Sequence, residues 1–213
     1  MIQIQAAAQE QAAEIARLIM MAMTEECCLH FCGEGTGLKE FEQMMTTLVE
    51  REDSQYSYKN TLVAMHRKKV VGIATAYDGG QLYTLRRAFI ESARDYLQKD
   101  HSCMDDETQA GELYLDSIAV LPAYRQQGIA SRLLKATAEK ARAIGIQQVG
   151  LLVDYGNPTA ERLYLSAGFR YLNNSTWGGH PMKHLVLDVK PDNHTHLSEV
   201  QDITKRNSFT DII

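Results

Sequence analysis

The sequence predicts an α/β protein, in which helices flank a mixed β-sheet. Two runs rich in β-forming residues, Thr61–His66 and 70–77, are separated by a short charged turn, which predicts an antiparallel hairpin. Later, an apolar strand at 112–121 leads into a helix that opens at Gly128, and a near-continuous apolar run follows at 147–153. This order of strand, helix and strand predicts a parallel pair joined by a right-handed crossover.

The first part of the chain predicts one strand and two helices. Residues Ile2–Ala6 form a short strand pattern, and residues 9–26 place apolar side chains on one helical face. A glycine-rich break at 33–37 precedes a second helical pattern of Phe and Met side chains at 41–49. We expect both apolar stripes to pack in the core rather than to bind a ligand.

Residues 81–110 interrupt two consecutive strands. Their first part has helical periodicity, and a polar, acidic run follows at 99–109. Because a long connection of this kind is uncommon between neighbouring strands, we interpret it as an inserted helix and loop.

The remaining elements are marked by capping residues. Gly145 is a natural end for the helix that opens at Gly128, Asn157 can cap the next helix, and Pro158 fits its first turn. The predictions are a helix at 158–167, strands at 169–172 and 183–189, and a loop at 173–181.

Composition narrows the classes of protein. The 213 residues suit one domain, which we assign to 1–189, followed by a polar tail at 190–213. A net charge of −5 argues against nucleic acid as a partner. The sequence contains neither an apolar run long enough to span a membrane nor the layout of a signal peptide, so the expected location is the cytoplasm.

The four cysteines do not predict a metal site. Cys27, Cys28 and Cys32 lie close together near His30, Cys103 is distant, and none forms a CxxC pair. We expect ordinary thiols and no bound metal.

The most informative stretch is the basic turn at 125–131 between the strand and the helix. Several free backbone N–H groups and the positive end of the helix dipole meet there, which suits a phosphate or pyrophosphate. The turn has neither the GxGxxG pattern of dinucleotide-binding proteins nor the Lys-Ser/Thr pair of a P-loop.

Two motifs carry a resemblance to a known family. Arg125, Gly128 and Ala130 match the pattern (Gln/Arg)-x-x-Gly-x-(Gly/Ala), directly after the strand end at 118–122. A second segment, from Asn157 to Phe169, follows in the expected order. Over residues 1–189 the chain resembles the GNAT superfamily of acyl-CoA-dependent N-acyltransferases. It departs at Gln126, where many members carry glycine.

The resemblance implies a fold, a co-substrate and its contacts. The fold would be a mostly antiparallel sheet of about six or seven strands, splayed at an acyl-CoA cleft. Backbone groups of 118–120 would pair with the pantetheine arm of acetyl-CoA, and 126–131 would hold the pyrophosphate. The expected cofactor-binding residues are Ile118, Ala119, Val120, Arg125, Gln126, Gln127, Gly128, Ile129, Ala130, Ser131, Asn157, Ala160 and Tyr164.

Three groups are needed for acyl transfer to an amine. Tyr164 is our candidate for the acid that protonates the leaving thiolate. Glu112 and Asp116 share one strand face by the period of two, and we favour Glu112 as the base. The N–H of Val120 or Ala119 is the expected donor to the oxyanion.

The resulting interpretation is an N-acetyltransferase that passes an acetyl group directly from acetyl-CoA to a primary amine. The alternative is a non-catalytic acyl-CoA-binding module. The expected acceptor pocket draws on Tyr77, Tyr83, Arg86, Arg87 and Trp177, whereas His180 and His184 are expected to be structural. We expect the insertion at 81–110 to shape acceptor choice or the contact of a homodimer.

Overall fold

Seven strands form one sheet in the computed structural model, which describes residues 1–189. Their order across the sheet is β1-β2-β3-β4-β5-β7-β6. The strands are β1 (Ile2–Ala6), β2 (Thr61–His66), β3 (Lys69–Asp78), β4 (Leu113–Val120), β5 (Gln148–Asp154), β6 (Arg170–Trp177) and β7 (His180–Asp188).

Six α-helices accompany the sheet within the same residues. They are α1 (Ala12–Met23), α2 (Glu25–Phe31), α3 (Leu38–Glu50), α4 (Leu82–Leu97), α5 (Ile129–Ala143) and α6 (Pro158–Ser166). The side chain of Asn157 caps α6 by accepting a hydrogen bond from the Ala160 N–H at 3.1 Å, as the sequence predicts.

Two apolar cores cover the two faces of the sheet. Helices α1 to α4 pack on one face through side chains such as Ile15, Phe41 and Phe89, which are at most 1% exposed. Helices α5 and α6 pack on the other through Leu133 and the aromatic pair of Tyr164 and Phe169. The sheet is therefore the middle layer of three, and the predicted α/β class is confirmed.

The strands β4 and β5 are parallel, as predicted, but they separate almost at once. Only Leu113 with Val149 and Tyr114 with Gly150 are paired within the described residues. From Leu115 onward, β4 keeps its antiparallel partner β3 and leaves its other edge without a strand. All other neighbouring strands are antiparallel, so the expected splayed and mostly antiparallel sheet is confirmed.

Two local predictions are wrong. The helix expected at 9–26 is broken at Thr24, whose φ of 75° is incompatible with a continuous α-helix. The loop expected at 173–181 is mostly strand, because β6 runs to Trp177 and turns into β7 through Gly178 and Gly179. The polar residues of β6 are held in place by pairing with β7.

The predicted tail at 190–213 lies outside the described residues. Among residues 1–189, no helix combines the length and the apolar character that crossing a membrane would require.

Candidate functional site

The turn at 125–131 presents unpaired backbone donors to solvent. In the described part of the chain, none of the N–H groups of residues 126–131 meets a hydrogen-bond acceptor. Residues 126–128 are exposed, and Gly128 caps α5, so the positive end of the helix dipole lies at the same place. Free N–H groups at a helix N-terminus are suited to binding an anion.

Left-handed backbone conformations give this turn its shape. Gln126 has a φ of 60° and Gly128 a φ of 72°. A Cβ atom added at Gly128 would meet nothing within 4 Å, so the glycine is required by the backbone angle and not by lack of space. At Gln126 an ordinary residue adopts the angle, which explains why glycine also suits this position.

Arg125 ties the turn to the end of β4. Its Nε atom donates to the Val120 carbonyl oxygen at 3.1 Å. One role of Arg125 is therefore to hold the strand end against the turn, besides adding positive charge beside the exposed amides.

The free edge of β4 leads from this turn toward the centre of the sheet. The Leu121 N–H donates to the Val71 carbonyl oxygen at 2.9 Å. Because ladder bonds alternate along an antiparallel pair, Ala119 directs its N–H to β3, whereas Ile118 and Val120 direct theirs to the open side. A ligand chain with amide groups can pair with these groups as a strand would.

A β-bulge places Asp116 at the inner end of this edge. Ser117 pairs with Thr75 and Leu115 pairs with Ala76, so Asp116 is the extra residue. The bulge turns the Asp116 side chain toward the helices α1 to α4, where the Ser117 hydroxyl donates to it at 2.7 Å. Burial raises the pKa of Asp116 to about 7, and the nearby Glu107 carboxylate acts in the same direction.

Tyr164 approaches from α6, on the other side of the opening. Burial raises its pKa to about 12, so the phenol stays protonated at neutral pH. Burial, and secondly the Asp116 carboxylate, raises the pKa of Tyr114. Tyr164 makes a smaller contribution in the same direction. Tyr114 therefore lies within electrostatic range of both Asp116 and Tyr164.

Glu112 is placed differently from the expected base. It precedes β4 and is 2% exposed. His184 Nε2 lies 2.8 Å from its Oε2 atom, and the Thr108 hydroxyl donates to Oε1 at 2.7 Å. Both carboxylate oxygens are engaged, and Gly150 leaves room for them, because a Cβ there would lie 2.0 Å from Oε2.

The cysteines near the site are protonated thiols. Burial, and secondly the Asp116 carboxylate, raises the pKa of Cys27 to about 11, and burial raises that of Cys28 to about 12. Neither is activated as a nucleophile. Among residues 1–189, no group of three or more His, Cys, Asp or Glu side chains is arranged to hold a metal ion.

An open cavity of about 400 Å³ lies on the α1 to α4 side of the molecule. Phe31 and Trp177 supply aromatic rings 5.8 Å apart, and Asp100 and Asp105 are also in the lining. Asp100 forms an ion pair with Arg94 at 3.0 Å. In the part of the chain that the structure describes, no lysine or arginine lines it. Phe31 lies one turn of α2 after Cys27. Cys27 is near enough to Asp116 for that carboxylate to raise its pKa.

Of the five side chains expected in an acceptor pocket, Trp177 alone lines this cavity. Tyr77 and Arg86 are buried in a polar cluster with Glu107, Tyr83 is exposed and bonds to Asp106, and Arg87 is exposed. His30 and His101 line the cavity without having been predicted.

Gln55 and Glu107 also lie next to Asp116, although the sequence pattern does not predict them. Gln55 is 2% exposed, its Nε2 atom donates to Glu107 Oε1 at 3.3 Å, and its side chain lowers the pKa of the nearby Asp116. Glu107 lies in the acidic run of the insertion, which on sequence alone is typical of a solvated loop. A buried ion pair with Arg86 holds it inside.

The chain is similar to known acetyltransferases in sequence and in structure. A model described as "Acetyltransferase (GNAT) family" matches residues 34–169, well over half of the chain. A solved structure titled "The crystal structure of acetyltransferase" has a TM-score of 0.73 and 30% identity, and the match covers 88% of this chain and 100% of that one.

Two curated relatives match shorter segments. "GCN5-related N-acetyltransferase 4, chloroplastic" from Arabidopsis thaliana is 31% identical over 91 residues, which cover 41% of this chain and 31% of that protein. The "[Ribosomal protein bS18]-alanine N-acetyltransferase" of Haemophilus ducreyi is 38% identical over 66 residues, 31% of this chain and 46% of that protein. The matches thus span less than half of either relative.

Proposed function

Because the chain belongs to the GNAT acetyltransferase family, we propose that it transfers the acetyl group of acetyl-CoA directly to a primary amine. One observation carries the proposal. The free edge of β4 connects the exposed amides of 126–131 to Asp116, so a single extended molecule can lie along all three. Acetyl-CoA has the matching order of pyrophosphate, amide-bearing arm and thioester.

Binding of acetyl-CoA rests on backbone groups. The N–H groups of 126–131 take the pyrophosphate, and the outward groups of Ile118 and Val120 pair with the pantetheine amides. Ile118 is nearer to Asp116, so its N–H is our candidate donor to the thioester oxygen, in place of Val120 or Ala119. Asn157 contributes by capping α6 and so fixing Tyr164, with Ala160 in the packed wall.

Asp116, rather than Glu112, is our candidate base. Its pKa of about 7 allows it to take a proton from the amine at neutral pH, whereas Glu112 has both oxygens engaged. The amine nitrogen forms a bond with the acetyl carbon, and the carbon–sulfur bond breaks. Tyr164 then donates its proton to the departing thiolate. Protonated Cys27 and Cys28 support direct transfer over an acyl-cysteine intermediate.

The acceptor enters through the cavity beside Phe31 and Trp177. Asp105 in the lining attracts a cationic amine, and the two rings accommodate an apolar or aromatic body. A small amine of this type and a peptide N-terminus both satisfy these features. The bS18-alanine N-acetyltransferase among the relatives is the reason to include an N-terminal alanine peptide in any test.

The experiment is a turnover assay that follows free thiol release from acetyl-CoA. The panel contains aryl-alkyl amines, polyamines, amino acids and alanine-terminal peptides, and binding of acetyl-CoA is measured separately by calorimetry. We expect turnover with at least one acceptor and a loss of about 100-fold or more in Asp116→Asn, with the affinity for acetyl-CoA retained.

Tight acetyl-CoA binding without transfer to any amine would instead support the non-catalytic module. The expected cytoplasmic location, the domain limits at 1–189 and a homodimer stay predictions, which fractionation, limited proteolysis and sedimentation can test.

A further inference from the structure

The side chain of Glu107 is buried deep below the surface, although it comes from a polar connection. It lies in the segment 98–112, which joins α4 to β4 and which we call the connecting segment. Its side chain is 4% exposed. The Tyr77 hydroxyl donates to Oε1 at 2.8 Å, and Arg86 Nη2 forms an ion pair with Oε2.

The connecting segment is fixed on both sides of Glu107. Gly79 packs directly against it, because a Cβ at Gly79 would lie 2.1 Å from the Gln109 carbonyl oxygen. Asp105 Oδ2 accepts from the Gly178 N–H at 3.0 Å, and His101 Nε2 lies 2.9 Å from the Phe31 carbonyl oxygen. These contacts fix the backbone around Glu107 and so hold its side chain in the buried position.

Gln55 connects Glu107 to Asp116. Its Nε2 atom donates to Glu107 Oε1 at 3.3 Å, and its side chain lies near enough to Asp116 to lower the pKa of that carboxyl group. A carboxylate in an ion pair accepts hydrogen bonds and donates none, so Glu107 requires the NH₂ end of the amide on its side. The Gln55 Oε1 atom has no hydrogen-bond partner among the described residues, which is consistent with an orientation imposed by its neighbours.

We propose that Glu107 is a positioning residue of the acetyl-transfer reaction. It holds the Gln55 amide with its N–H groups toward Asp116. The connecting segment thereby supplies a residue that sets the surroundings of the catalytic base. The proposal rests on the function proposed above. Glu107 contacts no reacting atom, and it acts on Asp116 through Gln55 and through its own negative charge.

Two opposite effects reach Asp116 from this pair. The Glu107 carboxylate raises the pKa of Asp116 and Gln55 lowers it, after the larger effects of burial and the Ser117 hydroxyl. The other titratable groups around Asp116 are Cys27 of α2, Tyr56 before β2, Tyr77 of β3 and Tyr114 of β4. Their pKa values are all raised, so they stay neutral near pH 7. Arg86 of α4 carries charge but is paired with Glu107.

The test measures Asp116 itself by ¹³C NMR titration of its carboxyl group in the free protein. We expect Glu107→Gln to lower the pKa of Asp116 by about half a unit or more, and Gln55→Met to raise it by a similar amount. Asp106→Asn is the matched control, because Asp106 also pairs with Arg86 at 3.0 Å but lies at the surface. That variant should leave the pKa of Asp116 unchanged.

Shifts in the same direction for Glu107→Gln and Gln55→Met, or shifts no larger than that of the control, would overturn the proposal. If Glu107→Gln does not fold, the rise in Gln55→Met against the control decides, since the ion pair with Arg86 stays intact in that variant. The pH profile of kcat/KM provides the second readout, and its acid limb should move with the pKa measured by NMR. Moved NMR pKa values with a fixed rate profile would refute Asp116 as the base, and with it the role of Glu107 in the reaction, whereas the coupling of Glu107 and Gln55 to Asp116 would be established.

Discussion

His184 Nε2 lies 2.8 Å from Glu112 Oε2, and both side chains are less than 10% exposed. This contact joins β7 to the start of β4 across β5, whose Gly150 lies directly beside the carboxylate. The contact ties the two halves of the sheet together where the strands are still paired. It gives Glu112 a structural task.

Glu112→Ala should therefore lower the free energy of unfolding strongly and have only a small effect on kcat. Removal of the buried carboxylate leaves His184 and Thr108 without their partner, at an expected cost of about 3 kcal/mol in the free energy of unfolding. Urea denaturation measures that cost, and kcat per folded molecule should fall less than about tenfold. Unchanged stability together with loss of the acid limb of the rate profile would restore Glu112 as the base.

Asp116 should make the protein less stable as the pH rises through the neutral range. Its pKa is about 7 in the folded protein and about 3.9 in an unfolded chain, so the folded state binds more protons between these values. Unfolding free energy then decreases with rising pH across that window. Relative to Asp116→Asn, the wild type should lose at least about 1 kcal/mol between about pH 5 and pH 8. Parallel denaturation curves at both pH values provide the measurement, and equal pH slopes in the two proteins would contradict it.

Tyr164→Phe should lower kcat by at least about tenfold while the affinity for acetyl-CoA stays the same. The variant removes the phenolic proton but keeps the ring that packs against Phe169, 5.8 Å away between ring centres. Tyr171→Phe is a suitable control, because it makes the same change at an exposed site on β6. Turnover equal to that of the control would exclude Tyr164 as the acid.

Gly128→Ala should weaken acetyl-CoA binding by about tenfold, since alanine at a φ of 72° costs about 1 to 2 kcal/mol and forces the turn to relax. Gly145, at the other end of α5, has a φ of 77° and the same open surroundings. Gly145→Ala should therefore cost similar stability and leave the affinity within about twofold. Calorimetric titration separates the two, and equal affinities would show that the turn does not bind the co-substrate.

The parts of the fold that follow local rules are predictable from the sequence. The hairpin of β2 and β3, the parallel pair of β4 and β5, and the Asn157 cap all depend on residue patterns within a few positions. Thr24 is different, because residue type does not announce a φ of 75°, although its hydroxyl accepts from the Cys27 N–H at 3.3 Å as a cap would. The polar end of β6 depends on pairing with β7, which no local pattern reveals.

The site likewise has one part that local sequence predicts and another that depends on long-range contacts. Exposed amides at 126–131 follow from a strand, a turn and a helix in sequence, and a reader of the sequence can place them. The bulge that turns Asp116 toward α1 to α4 depends on the register with β3, and the cluster of Gln55 and Glu107 joins residues 52 positions apart. Burial of Glu107 further requires Arg86, so an acidic loop pattern alone could not reveal it.

Because β4 and β5 share only two residue pairs, the unpaired edge of β4 also affects the resistance of the protein to degradation. Acetyl-CoA placed as we propose adds hydrogen bonds to an edge that no strand satisfies, and a ligand that binds only the folded state opposes unfolding in proportion to its concentration. Resistance to proteolysis should accordingly rise and fall with the supply of acetyl-CoA. The cellular abundance of the protein would then be higher when acetyl-CoA, its proposed co-substrate, is plentiful.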